Sequence, residues 1–306
     1  MMQDTVFSIN YYLLSLTWFV EPLTFTFMRH AIAIGFLLGI LSAIVGSYLI
    51  LQQMGMMGGV ISHAVLPGIS IAFFLEINLA IGAFVAGMLS ALVVLIIEKR
   101  SLVKVDSAMA LTLSSFLALG IILIDLLKTN QIDLSSILFG DILSVTNQDV
   151  WQTAIITLSI VILTKIFYKE LEFYTFDPIG AKACGLPVKI LHLGLICAMT
   201  LTIVASMQTV GVLLVMSLLA GPAMTAYLLV KELWQIMIAG AIIGVFSSIS
   251  GMYLSYYYDL PSGAAIVAII FSCFLLAFLF SPSQGIINTS QNRDRLSSII
   301  RNMSRK

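Results

Sequence analysis

Few side chains in this sequence could do chemistry, and His63 is the sharpest. It stands in the run Gly58-Gly59-Val60-Ile61-Ser62-His63-Ala64-Val65-Leu66-Pro67-Gly68. A neutral imidazole is a common ligand for divalent transition metals. Pro67 has no backbone N–H, so the carbonyl one turn earlier, beside His63, loses its helical donor. Ion sites in transporters sit at such interrupted helices near the bilayer midplane. His63 is therefore a candidate metal ligand, and Pro67 with Gly68 a candidate helix break lining a pathway. The plainer alternative is a packed histidine bonded to a neighbouring carbonyl.

Other polar groups suggest less. His30 and His192 stand at the starts of apolar runs, where interfacial anchoring or helix-end hydrogen bonds account for them. Asp106 and Asp125 lie near opposite ends of one run, as capping or solvated carboxylates would. Met54, Met56 and Met57 read as packing residues rather than a soft-metal site. Cys184, Cys197 and Cys273 are far apart and form no C-x-x-C pair. The chain has neither H-E-x-x-H nor the phosphate-binding G-x-x-x-x-G-K-[ST], so it carries no ATPase motif of its own and is not expected to be an enzyme.

The elements that must position His63 follow from composition. Of 306 residues, 60% are hydrophobic and 10% charged, far below the roughly 25% of a soluble domain. Mean hydropathy is +1.07. Lipid is the natural solvent of such a surface, and a formal net charge of zero argues against a nucleic-acid partner. A hydrocarbon core of ~30 Å takes ~20 apolar residues per helix. Runs near that length occur at 30–51, 56–75, 79–97, 108–127, 151–168, 188–206, 209–229, 234–257 and 262–280. The fold class is thus all-α, a polytopic membrane protein with about eight to ten transmembrane helices.

Three regions divide the chain. Residues 1–28, interrupted by Pro22 and carrying Tyr11, Tyr12 and Trp18, read as an N-terminal interfacial segment without a cleavable signal. Residues 29–281 form the transmembrane domain, and 282–306 a basic tail. Basic loops at 98–106 and 169–189, Lys231 and the tail alternate with loops poor in Lys and Arg, so these basic regions and the C-terminus are assigned to the cytoplasm. The run 133–143 is amphipathic and too short to cross; it is expected to lie across the outer mouth.

Several of these stretches resemble the ABC-3 family of manganese, zinc and iron permeases. Ile61-Ser62-His63-Ala64-Val65-Leu66-Pro67-Gly68 is similar to its S-H-A-V-L-P-G signature. Phe176-Asp177-Pro178-Ile179-Gly180-Ala181-Lys182-Ala183-Cys184-Gly185-Leu186-Pro187 resembles its cytoplasmic coupling loop. Gln208-Thr209-Val210-Gly211-Val212-Leu213-Leu214-Val215, Gly221-Pro222-Ala223-Met224-Thr225-Ala226-Tyr227 and Ile137-Leu138-Phe139-Gly140 also fit. The likeness covers roughly residues 20–280, in the family's order, with a flavour of the manganese permeases of cyanobacteria and plastids.

The resemblance implies an ABC importer permease architecture. Two permease copies form the pathway as a homodimer, and an extracytoplasmic metal-binding protein delivers a divalent ion. A separate ABC ATPase subunit docks on the region 169–187. Manganese is the first expectation, zinc or iron next, as transported cargo rather than a permanently bound cofactor. The setting implied is a bacterial inner membrane, or a plastid membrane. In the docking region Gly180, Ala181, Lys182, Ala183 and Gly185 would allow a tight turn and close approach. The competing readings are an ABC permease for siderophore or vitamin, and a secondary metal transporter. The near absence of mid-span carboxylates weakens the latter.

One position departs from the family, whose second span usually reads Gly-Asp-x-x-Ser-His. Here Gly59 stands where the Asp would be. Candidate oxygens in its place are Ser62, the carbonyl near Gly59 and a water. Gly59→Asp is expected to raise metal occupancy.

Overall fold

Backbone groups in hydrocarbon must be satisfied within the segment itself, so long apolar runs become helices. The computed structural model describes residues 20–127, 140, 142 and 145–281. After a 3-10 turn at Pro22–Thr24, α1 runs Thr26–Leu51, α2 Met57–Phe74, α3 Leu79–Arg100, α4 Val105–Leu126 and α5 Asn147–Ile166. Two short helices follow, α6 at Tyr168–Phe176 and α7 at Pro178–Ala183. Then come α8 at Val188–Val210, α9 at Val212–Leu229, α10 at Leu233–Tyr258 and α11 at Ser262–Phe280. Among the described residues, nine helices, all but α6 and α7, are long and apolar enough to cross a membrane.

Local chemistry sets several ends. Thr146 and Asp149 cap α5 reciprocally: Asp149 Oδ2 accepts from the Thr146 N–H at 2.9 Å, and Thr146 Oγ1 from the Asp149 N–H at 3.3 Å. Asn78 opens α3 by accepting from the Ala80 N–H at 2.9 Å. Lys99 and Arg100 close α3 and Lys165 closes α5, where cations suit the helix dipole. Asp106 falls in the first turn of α4, where a carboxylate does.

The helices pack around α1, which lies against α10, α9 and α5, while α2 packs on α3 and α4. Without a hydrophobic drive between helices in lipid, small residues set the closest crossings. A β-carbon on Gly68 would stand 2.2 Å from the Gly82 carbonyl oxygen, and one on Gly82 2.3 Å from the Gly68 oxygen. So α2 and α3 meet backbone to backbone.

Three sequence expectations change. First, α2 is unbroken from Met57 to Phe74 and carries Pro67 in its interior. The break predicted at Pro67–Gly68 does not form. Neighbouring helices clasp this stretch: a β-carbon on Gly120 of α4 would lie 3.0 Å from Pro67 Cδ, and Gly68 is pressed on α3. Second, α1 begins at Thr26, inside the stretch 1–28 assigned to the interface. Third, the region 169–187 holds helices α6 and α7 rather than a single loop. Of the segment 133–143 only residues 140 and 142 lie within the described residues, and residues 1–19 and the tail 282–306 lie outside them.

Candidate functional site

His63 lies about three turns before the C-terminal end of α2 and is half-buried. Its Nδ1 and the Oγ of Ser62 are both enclosed, and neither has a hydrogen-bond partner. A buried polar atom left unpaired costs about 1–3 kcal/mol, so two adjacent ones need a reason. The packed-histidine alternative supplied a carbonyl partner for the imidazole, and Nδ1 has none. Because Pro67 has no N–H, the carbonyl of His63 itself lacks its helical donor. Imidazole nitrogen, hydroxyl and carbonyl oxygen are thus gathered on neighbouring residues of one helix. The carbonyl of Gly59, by contrast, lies in the regular ladder of α2, facing the N–H of residue 63.

Gly59 stands one turn before His63 and on the same face. A β-carbon there would lie 2.7 Å from Met216 Cε of α9 and 3.3 Å from Leu113 Cδ1 of α4. The space for a residue-59 side chain is filled by a thioether from another helix. Sequence reasoning missed Met216, because nothing local to it signals a neighbour on α2. Among the described residues no group of three or more His, Cys, Asp or Glu could hold a metal ion.

Each of the other histidines has a partner at Nδ1, while His192 Nε2 is enclosed without one. His30 Nδ1 lies 3.2 Å from the Val145 carbonyl oxygen, a link at a helix end as expected. His192 Nδ1 lies 2.5 Å from the hydroxyl of Tyr174 on α6, and their rings meet edge to face. Next to Tyr174, Thr175 Oγ1 accepts from Gln52 Nε2 at 3.3 Å. Consecutive residues of α6 are thereby tied to the end of α1 and the start of α8. Burial, with the charge of Glu98 next, pushes the Tyr174 hydroxyl up to about 12. A cavity of about 540 Å³ lies there, lined by Gln52, Glu98, Asp106, Tyr174, Pro178 and His192 among others. Of the methionines, Met54 and Met57 are buried and Met56 exposed. All three cysteines are free thiols.

The region 169–187 is built around Asp177. Its Oδ1 accepts from the Gly180 N–H at 2.8 Å, which caps α7. A β-carbon on Gly180 would stand 2.2 Å from Asp177 Oδ2. Gly185, at φ +84°, closes α7: its N–H donates to the Lys182 carbonyl and that of Leu186 to the Ala181 carbonyl. Ala181 is fully buried, while Lys182, Ala183 and Gly185 face outward. Beside them Phe176 and Ile179 are exposed, Ile179 by 83%. Together they form an apolar knob left uncovered at the junction of α6 and α7.

Two other stretches quoted from the sequence touch. A β-carbon on Gly140, at φ +67°, would stand 2.2 Å from the Val210 carbonyl carbon and 2.3 Å from the Gly211 nitrogen. Gly140 thus rests on the junction of α8 and α9.

The family profile described as ABC 3 transport family matches residues 24–281. The chain is 42% identical over 270 residues to the manganese transport system membrane protein MntC of Listeria monocytogenes, covering 88% of this chain and 96% of that protein. It is 38% identical to a probable iron transport system membrane protein of Haemophilus influenzae, covering 86% of this chain and 97% of that one. Among solved structures, PsaBC from Streptococcus pneumoniae in complex with Fab matches with a TM-score of 0.79 and 38% identity, over 88% of this chain and 97% of that one. With the match running from before α1 to the end of α11, this multi-pass membrane chain belongs to the ABC 3 transport family.

Proposed function

We propose that this chain is the membrane permease subunit of an ATP-driven importer for a divalent metal ion, manganese first, with zinc or iron next. The observation that carries the reading is the adjacent pair of enclosed, unpartnered atoms, His63 Nδ1 and Ser62 Oγ, on a helix inside the membrane-spanning bundle. A passing ion could meet the imidazole nitrogen. The names of the Listeria and Haemophilus relatives support manganese and iron. The inferred setting is a bacterial inner membrane.

In this reading a metal-binding protein releases the ion at the outer face, and it passes His63 and Ser62 with part of its water shell in place. Two copies of the chain flank the path. On α4 the exposed residues Ala110, Ser114 and Ala118, at four-residue spacing, allow a second copy to approach closely. An ATPase subunit docks on α6 and α7, with Phe176 and Ile179 as its apolar contact. Motion of α6 reaches α8 through Tyr174 and His192, and α1 through Thr175 and Gln52.

ATP-dependent uptake in vesicles carrying the chain with its ATPase tests this. Manganese, zinc and iron are offered in competition to wild type and His63→Ala. Uptake of one of them that collapses in the variant is the expected result. Uptake indifferent to His63 would turn the imidazole back into a packing group.

A further inference from the structure

A second feature lies away from His63. A groove of about 980 Å³ runs over α1 between α5 and α10. Phe36, Ile40 and Ile44 form its floor, with Val161 and Thr164 on one wall and Met237 to Phe246 on the other. None of its lining comes from α2, α3, α4 or α9, the helices around His63 and its neighbours. Along α10 the lining runs from Trp234 to Phe246, a rise of about 18 Å. That is close to one leaflet, half of a ~30 Å hydrocarbon core.

The polar end is built differently. Lys165, Tyr168 and Trp234 line it, and Lys165 is the groove's one charged lining residue. Lys165 occupies the last turn of α5, on the basic end of the molecule, and is exposed. Tyr168 and Trp234 mark the level where amphipathic aromatic rings sit at a membrane surface. Two carboxylates flank this end and both are already engaged: Glu232 accepts from Trp234 Nε1 and Gln235 Nε2, and Glu172 Oε1 accepts from the Tyr168 hydroxyl at 3.1 Å, which leaves Lys165 as the cation facing the groove. A long Lys stem can lie along the apolar wall and lift its ammonium to the headgroups.

We infer that this groove binds an anionic phospholipid of the cytoplasmic leaflet, acyl chains along Phe36 to Ile44 and phosphate on Lys165. An apolar slot one leaflet deep suits acyl chains, and its single cation suits the anionic head. The occupant is specific lipid rather than passing solvent.

The test uses the assembled transporter with Trp18→Phe and Trp151→Phe, which leaves Trp234 as the sole tryptophan of this chain. ATPase tryptophans are removed or subtracted with a Trp234→Phe control. Brominated phosphatidylglycerol and brominated phosphatidylcholine are titrated as quenchers. The expected result is quenching at an about fivefold lower fraction of phosphatidylglycerol. Lys165→Gln removes that preference and Lys165→Arg keeps it. Ala241→Phe, which fills the groove, weakens quenching by both lipids. Equal quenching by both lipids, unmoved by Lys165→Gln, overturns the inference in favour of exchanging boundary lipid. Absence of quenching by either overturns it too, and means that protein covers the groove.

Discussion

The methyl of Met216 lies 2.7 Å from where the β-carbon of residue 59 would stand. The contact joins α9 to α2 one turn from His63. It means that a thioether takes the space a side chain at residue 59 would occupy. A soft sulfur favours softer metals, while manganese favours oxygen. The clash is with the far end of a flexible side chain, so a substitution at 59 needs Met216 to swing aside rather than a helix to move.

Gly59→Asp alone should therefore fold and bind more metal, and Gly59→Asp with Met216→Ala should bind more still. Metal per purified transporter, after equilibrium dialysis against manganese, checks this. An increase in affinity of about tenfold is expected, the scale of one charge-assisted contact. Unchanged manganese content in both variants would place the ion path elsewhere than this face of α2.

Tyr174 and His192 join the docking helices to the bundle. Tyr174→Phe leaves a buried ring nitrogen unpaired at a cost of about 1–3 kcal/mol. In the assembled transporter ATP hydrolysis should persist while metal uptake falls several-fold. Loss of both together would mean that the bond only holds α6 in place.

The same hydroxyl predicts an alkaline effect. Its folded-state pKa is raised above the ordinary 10, to about 12. The sign follows: the folded chain holds this proton more tightly, so the stabilisation is full below pH 10 and is lost as pH rises toward 12. The gap in melting temperature between wild type and Tyr174→Phe should narrow from pH 9 to pH 11, read by scanning fluorimetry. A constant gap would contradict the burial of this group.

Gly180→Ala places a methyl within 2.2 Å of Asp177 Oδ2. The Asp177 cap of α7 should open, at about 1 kcal/mol. Ile179→Asp leaves the cap intact but puts a charge on the apolar knob. Both should weaken co-purification of the ATPase, Ile179→Asp without lowering the thermal midpoint. Full retention of the ATPase by Ile179→Asp would remove α7 from the docking surface.

Gly82→Val tests the crossing of α2 and α3. Its side chain would be driven into the Gly68 backbone, with the β-carbon at 2.3 Å from the carbonyl oxygen. A backbone cannot turn away as a side chain can, so a loss of about 3 kcal/mol is expected. Size-exclusion chromatography of a fluorescent fusion should show little monodisperse protein, and wild-type yield would contradict the close crossing.

The sequence by itself determined the class and the span positions. Apolar runs in lipid have one local solution, a helix of bilayer length, and that depends on composition alone. The alternation of basic loops assigns an expected side to each end of the spans, and the S-H-A-V-L-P-G run singles out His63. Asp177-Pro178 and Gly185 likewise carry their own cap signals, which the structure uses as written. Only the tertiary structure decided what surrounds these residues. That Pro67 sits in an unbroken helix depends on Gly120 and Gly82, which press on α2 from α4 and α3. That Gly59 is filled rather than vacant depends on Met216, and that α6 is tied to α8 depends on Tyr174 meeting His192. Helix formation is a matter of neighbours within a few residues, whereas these contacts arise where distant helices cross. No local pattern in the chain records which residue arrives at such a crossing.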